Sequence, residues 1–225
     1  MTLGILLPTR GRPSNLDRFL TAIEDTADDW HLYLRIDHDD PLAPAYDDVL
    51  GRNYRRISVF HGARIGFGAS LNELAAHAER DGVSHVGMFG DDVVPETSHW
   101  DSLMVEALGE RLGVAYGNDG MRDKHPLDLP THYITQTEVY RRLGYLSPPT
   151  IRHLYLDNVA RDVGRYLHNF VFVSVIIRHL HPWSEGEKIN DITYREGGRN
   201  PHIRKADRMA YLRWTRDREW KRRLQ

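Results

Sequence analysis

Two adjacent carboxylates, Asp91-Asp92, follow Gly90 at the end of a short apolar run. Side by side, two negative charges are costly unless water or a cation shares them. Together they make an oxygen-only site suited to Mg²⁺ or Mn²⁺, ions that keep several waters and bridge to substrate phosphates. An Asp pair is equally at home in a turn or the first turn of a helix, where it needs no ligand. A second acidic cluster, Asp37-His-Asp-Asp40, closes another apolar run. His179 and His181 follow the most β-prone stretch of the chain, Phe170–Ile177. Either imidazole could add a nitrogen to a borderline ion such as Mn²⁺, and His181 is the favoured one. With thirteen histidines in the chain, a surface or core role is the plainer reading of each.

Further groups carry possible chemistry. Thr9-Arg10-Gly11-Arg12-Pro13 follows the first apolar run, and its N–H groups and two guanidinium groups suit a diphosphate or a nucleotide base. Arg64 sits among Gly62, Gly66 and Gly68, in a loop that matches neither the P-loop nor the dinucleotide fingerprint. Asp157 leads a helical pattern after an apolar segment. It reads either as a general base that takes a proton from an attacking hydroxyl or as a helix cap. The chain has no G-x-S-x-G elbow and no H-E-x-x-H helix.

The elements that must position these residues alternate between strand and helix. Leu3–Thr9, Trp30–Ile36, Ile57–Phe60 and Val83–Phe89 read as strands, three of them continuous or alternating apolar runs. Between them, Ser14 is expected to cap a helix carrying Leu16, Leu20 and Ile23, and Ser70 one carrying Leu71, Leu74 and Ala78. Trp100, Leu103, Met104 and Leu108 form a further helical stripe. This order predicts an α/β domain with a mostly parallel central sheet flanked by helices. Ligands in such folds bind beyond the carboxyl ends of the strands, so the two acidic clusters are expected to meet at one site. The second half is less regular. Val114–Tyr116 and Phe170–Ile177 read as strands, Thr135-x-x-Glu138 as a capping box, and Asp157–Tyr166 and the segment from Lys205 as helices.

Composition narrows the class. A 225-residue chain, 40% apolar and 28% charged, can build one sizeable core. There is no cysteine, which excludes disulfides, thiolate nucleophiles, thiolate zinc sites and iron–sulfur clusters. No apolar run is long enough to span a bilayer and no signal-peptide pattern opens the chain, so a soluble cytoplasmic protein is expected. The net charge of −2 hides an asymmetry: residues 199–225 carry ten Lys/Arg and three Asp/Glu, against twenty and twenty-nine in the remainder. The tail is expected either to meet an anionic partner or to pair its arginines with the acidic body.

Pro8-Thr-Arg-Gly-Arg12, the Asp37–Asp40 strand end, Arg64-x-Gly66 before Leu71-Asn72, and Phe89-Gly-Asp-Asp92 occur in an order that resembles GT-A glycosyltransferases, closest to compact family 2-like versions carried by phages and bacteria. The resemblance covers residues 3–195. It implies a single GT-A (Rossmann-like) domain over residues 1–198, with a nucleotide-binding half to 110, an acceptor half to 198, and a basic helical tail over 199–225. It also implies transfer of a sugar from a nucleoside-diphosphate sugar to an acceptor hydroxyl on a nucleic acid, protein or glycan. Asp91-Asp92 matches the metal motif in an unspaced form, with Asp92 favoured as the ligand and His181 completing the shell. Thr9 and Arg10 match the base- and ribose-holding segment, Asp37 or Asp39 its acidic partner, and Arg64 a basic residue near the diphosphate. Asn118 and Asp119 fall where donor sugars are contacted. Asp157 falls at the catalytic base of inverting members, although Leu156 stands where a Glu is familiar. Two other readings remain: a sugar nucleotidyltransferase, and a nucleic-acid-binding protein acting through the tail.

Overall fold

The first strand, β1 (Leu3–Thr9), is buried along almost its whole length, which requires cover on both faces. The computed structural model describes residues 2–51, 54–121, 128–180 and 200–225. Successive side chains of β1 enter opposite layers: Leu3, Ile5 and Leu7 join one apolar cluster, and Leu6 joins the other. β2 (Trp30–Asp37) repeats the division, with Trp30, Leu32, Leu34 and Ile36 on the first side and Tyr33 on the second.

The remaining strands are β3 (Ile57–Gly62), β4 (His85–Met88), β5 (Val93–Pro95), β6 (Val114–Asn118), β7 (Tyr133–Gln136) and β8 (Phe170–His179). All eight form one sheet in the order β3-β2-β1-β4-β7-β6-β8-β5. β3, β2, β1 and β4 run parallel, β7 opposes both β4 and β6, β8 is parallel to β6, and β5 opposes β8. β1, β2, β4, β6 and β8 therefore all end at the same edge of the sheet.

Helices α1 (Pro13–Thr26), α2 (Ala45–Leu50) and α4 (Trp100–Leu108) cover the first face. The second face is covered by α3 (Phe67–Arg80), α5 (Thr137–Leu143), α6 (Leu156–Tyr166), α7 (Pro201–Arg216) and α8 (Glu219–Arg223). The expected stripes are the buried ones, Leu16, Phe19, Leu20 and Ile23 on α1 and Leu71, Leu74, Ala75 and Ala78 on α3.

Three expected caps are corrected. α1 begins at Pro13, whose fixed φ and missing N–H suit the first turn, so Ser14 lies inside the helix. α3 begins after Gly66, whose φ of 90° is a conformation open to glycine, so Ser70 is a buried interior residue. Thr135 belongs to β7 and donates to the Gly113 carbonyl at 2.7 Å, which leaves Gln136 as the residue before α5.

The basic C-terminal segment packs on the body. Ala210, Trp214, Trp220 and Leu224 enter the second core layer, and Trp214 stacks on Trp220 with centroids 4.5 Å apart. Arg222 and Arg223 pair with Glu219. Among the described residues, none of Arg204, Lys205, Arg208, Arg213, Arg216 and Arg218 makes an ion pair. Pairing of these cations with the acidic body is therefore not what the fold does with them.

Candidate functional site

The edge where β1, β2, β4, β6 and β8 end gathers most of the residues singled out above. The loop after β1 runs between the two acidic clusters. On one side, Arg10 donates to the Asp39 carboxylate at 2.6 Å and lies 3.6 Å from Asp37, while the Gly11 N–H donates to Asp40 at 2.7 Å. Asp37 is fixed by the buried Arg35 at 2.6 Å, which also donates to Glu73 and to the Ala63 carbonyl. On the other side, Thr9 donates to Asp91 at 2.7 Å, and Arg12 reaches Asp91 at 2.9 Å and Asp92 at 3.3 Å. Tyr46 of α2 lies beneath the loop, its hydroxyl 3.1 Å from the Thr9 hydroxyl and accepting the Arg12 N–H at 3.0 Å. The donors of Thr9–Arg12, expected to face a diphosphate, are thus held by carboxylates and by Tyr46.

Asp91, Asp92 and Arg12 are all buried. Burial pushes the Asp91 carboxyl up to about 6; the Arg12 guanidinium and the Thr9 bond pull it down, and the neighbouring Asp92 adds to the rise. His179 ends β8 with its Nε2 3.5 Å from Asp92. Burial works against its imidazolium form, but Asp92, and Asp119 behind it, outweigh burial and raise its pKa. The backbone locks the same residues together: Leu180 donates to the Asp92 carbonyl at 2.7 Å and His179 to the Asp119 carbonyl at 2.9 Å. The Asp119 carboxylate accepts the Met121 N–H at 2.9 Å and the Thr131 hydroxyl at 2.9 Å. Asn118 accepts the Gly120 N–H in a local turn.

Two further expected residues sit on the loop that follows β3 and in the first turn of α6. Arg64 is exposed on the loop between β3 and α3. Asp157 is half-buried in the first turn of α6, where it accepts the Asn158 N–H at 2.8 Å. Its charge reaches Tyr133, whose pKa is raised first by burial and then by Asp157. Tyr133 pairs with Met88 at the end of β4, the strand that leads to Asp91. His181 lies outside the described residues.

Sequence reasoning did not single out His153. Its ring packs edge-on against Phe67, with centroids 5.8 Å apart. Burial lowers its pKa, and the charges of Asp207, Asp92 and Arg12 all reach it. Asp207, on α7, accepts the N–H groups of Arg152, His153 and Leu154. The signal that would have found these residues is spatial, since 55 positions separate Arg152 from Asp207.

No family model and no curated protein matches the sequence. The fold is similar to that of solved structures. TarS 1–349 of S. aureus in complex with UDP matches with a TM-score of 0.61 and 13% identity, over 78% of this chain and 60% of that one. The mannosyltransferase PcManGT from Pyrobaculum calidifontis, in complex with GDP-Man and Mn²⁺, matches with a TM-score of 0.64 and 13% identity, over 82% of this chain and 58% of that one. The matched region thus spans about three-fifths of each of those chains. What the likeness establishes is the architecture: this chain is a single α/β domain built on a mixed, curled sheet of eight strands with helices on both faces, and its fold is similar to that of these solved structures.

Proposed function

We propose that this chain is a glycosyltransferase that moves a sugar from a nucleoside-diphosphate sugar to an acceptor hydroxyl with the help of a divalent cation. The observation that carries this reading is the buried Asp91–Asp92 pair at the shared strand edge, with Arg12 and His179 against it. Among the described residues no three metal-ligating side chains converge. One carboxylate and one imidazole suit Mn²⁺ or Mg²⁺, which take the rest of their shell from water and phosphate oxygens. Asp92, with His179 or His181, would hold the ion, which when bound supplies charge compensation for the departing diphosphate. Solved neighbours lend support: TarS structures carry UDP or UDP-GlcNAc, and PcManGT carries GDP-Man with Mn²⁺.

The chain's own residues divide the remaining work. Thr9, Arg10, Asp37 and Asp39 line the edge where the base and ribose rest, and Arg64 offers a guanidinium group for phosphate oxygens. Asn118 and Asp119 face the sugar. The Asp157 carboxylate oxygen takes the proton of the acceptor hydroxyl while that oxygen attacks the anomeric carbon, and the bond from that carbon to the phosphate oxygen breaks. A single displacement of this kind inverts the anomeric centre.

Thermal unfolding with UDP, GDP and dTDP, each with and without Mn²⁺, tests the reading. A diphosphate at a hundred times its Kd stabilises by about 2.7 kcal/mol, or roughly 5–10 °C for a domain of this size. The rise is expected with one base, only in the presence of the cation, and not in Asp92→Asn. No rise with any of the three at millimolar concentration contradicts the proposal.

A further inference from the structure

We propose that Asp207, on the C-terminal helix α7, is a positioning residue of the candidate site: it fixes residues 152–154, the segment that carries His153 and leads into Asp157. This inference rests on the site reading given above. Asp207 is completely buried, and it is the only acidic residue within α7. One of its oxygens accepts the Arg152 N–H at 3.0 Å; the other accepts the His153 and Leu154 N–H groups at 2.9 and 2.8 Å. Three N–H donors on one carboxylate make a strong, charge-assisted anchor, and without it three backbone donors would lose their partner.

The anchored segment is also tied to the start of α3. The Arg152 carbonyl accepts the Gly68 N–H at 2.9 Å, which ties it to the start of α3 just after the Arg64 loop. His153 packs on Phe67 from the same turn and lies within reach of the charges of Asp92 and Arg12. Tyr155 holds a φ of 69°, a left-handed conformation that a bulky residue adopts only under constraint, and its ring stacks on Tyr211 with centroids 5.3 Å apart. Asp157 follows two residues later. α7 therefore grips the segment at two points, through Asp207 and Tyr211. This gives the C-terminal helix a task apart from its charge. Its inner face holds the wall that carries His153 and Asp157, and its arginines point elsewhere.

The test uses the full-length chain with UDP or GDP and Mn²⁺, and reads the histidine ring resonances by NMR. Paramagnetic Mn²⁺ broadens nuclei steeply with proximity, and His153 is assigned by its loss in His153→Gln. In the wild type the His153 signal broadens together with that of His179. With Mn²⁺ kept well below the protein concentration, the His153 broadening in Asp207→Ala falls several-fold relative to that of His179. Asp207→Asn keeps one acceptor oxygen and the side-chain volume, so it falls between the two and remains informative where the alanine variant does not fold. With a transferable donor, kcat in the alanine variant drops by about 10- to 100-fold through misplacement, while the donor's Kd is unchanged. Undiminished His153 broadening in both variants overturns the proposal and leaves the site reading intact. Absence of broadening at every histidine of the wild type overturns the site reading, and the proposal falls with it.

Discussion

Replacing Asp91 with Asn is expected to stabilise the ligand-free fold at neutral pH, although the residue sits at the centre of the candidate site. Folding raises the Asp91 pKa from 3.8 to about 6, so the charged form is disfavoured in the native state. The attraction of Arg12 is already contained in that net rise, and burial outweighs it. A gap of about two pH units corresponds to roughly 3 kcal/mol at 1.36 kcal/mol per unit. The sign follows from linkage: stability is undiminished below about pH 4 and is lost as the pH climbs through about 6. Asn removes the charge at nearly constant shape. Its carbonyl can accept from Arg12 while its amide donates to the Thr9 hydroxyl, which can turn its own proton to Tyr46. Arg12 keeps Asp92 as a counter-ion, so no buried charge is stranded. Allowing for the weaker bond to Arg12, a gain of about 1–3 kcal/mol is expected at pH 7.5, several degrees in Tm for a domain of this size. Urea unfolding of wild type and variant from pH 4 to 8 measures it, with the gap closing toward pH 4. A variant less stable than wild type at pH 7.5, or a gap that does not change with pH, would refute the account.

Asp157→Asn should reduce sugar transfer by at least about 100-fold, the usual weight of a general base, while the thermal shift given by the nucleoside diphosphate and Mn²⁺ stays unchanged. Equal loss of both removes Asp157 from the base role. Asn72 joins α3 to the turn after α5 by donating to the Ser147 carbonyl at 2.7 Å and accepting the N–H groups of Leu146 and Ser147 at 2.8 and 2.9 Å. Asn72→Ala should cost about 2–4 kcal/mol, because it strips partners from several backbone groups at once. Denaturant unfolding of that variant reads the loss directly, and a change under 1 kcal/mol would mean that water replaces the side chain.

The strands and the two apolar stripes were legible because burial on both faces leaves unbroken runs, as in Leu3–Leu7, and burial on one side leaves the helical period, as in Leu16 to Ile23. Starts of helices were less so. Ser14, Ser70 and Thr135 are good caps by type, but Pro13 and Gly66 decide where α1 and α3 begin, and a ladder claims Thr135. Val93–Pro95 and Tyr133–Gln136 escaped notice because strands of three and four residues have too few positions to display a period. At the strand edge, the residue types were readable and their partners were not. Arg12 was visible as one of two guanidinium groups, yet nothing local says that it, and not Arg10, takes both Asp91 and Asp92. His153 and Asp207 carry no motif; only the folded chain places them together.

The grip of α7 on residues 152–154 also bears on how the protein is made. The Thr9–Arg12 loop, both acidic clusters and the turn that carries Arg64 all belong to the first hundred residues and can assemble as soon as β1 to β4 pair. The wall opposite lacks its Asp207 anchor until α7 has been made and docks. A nascent chain can thus shape its nucleotide side well before the facing wall is set.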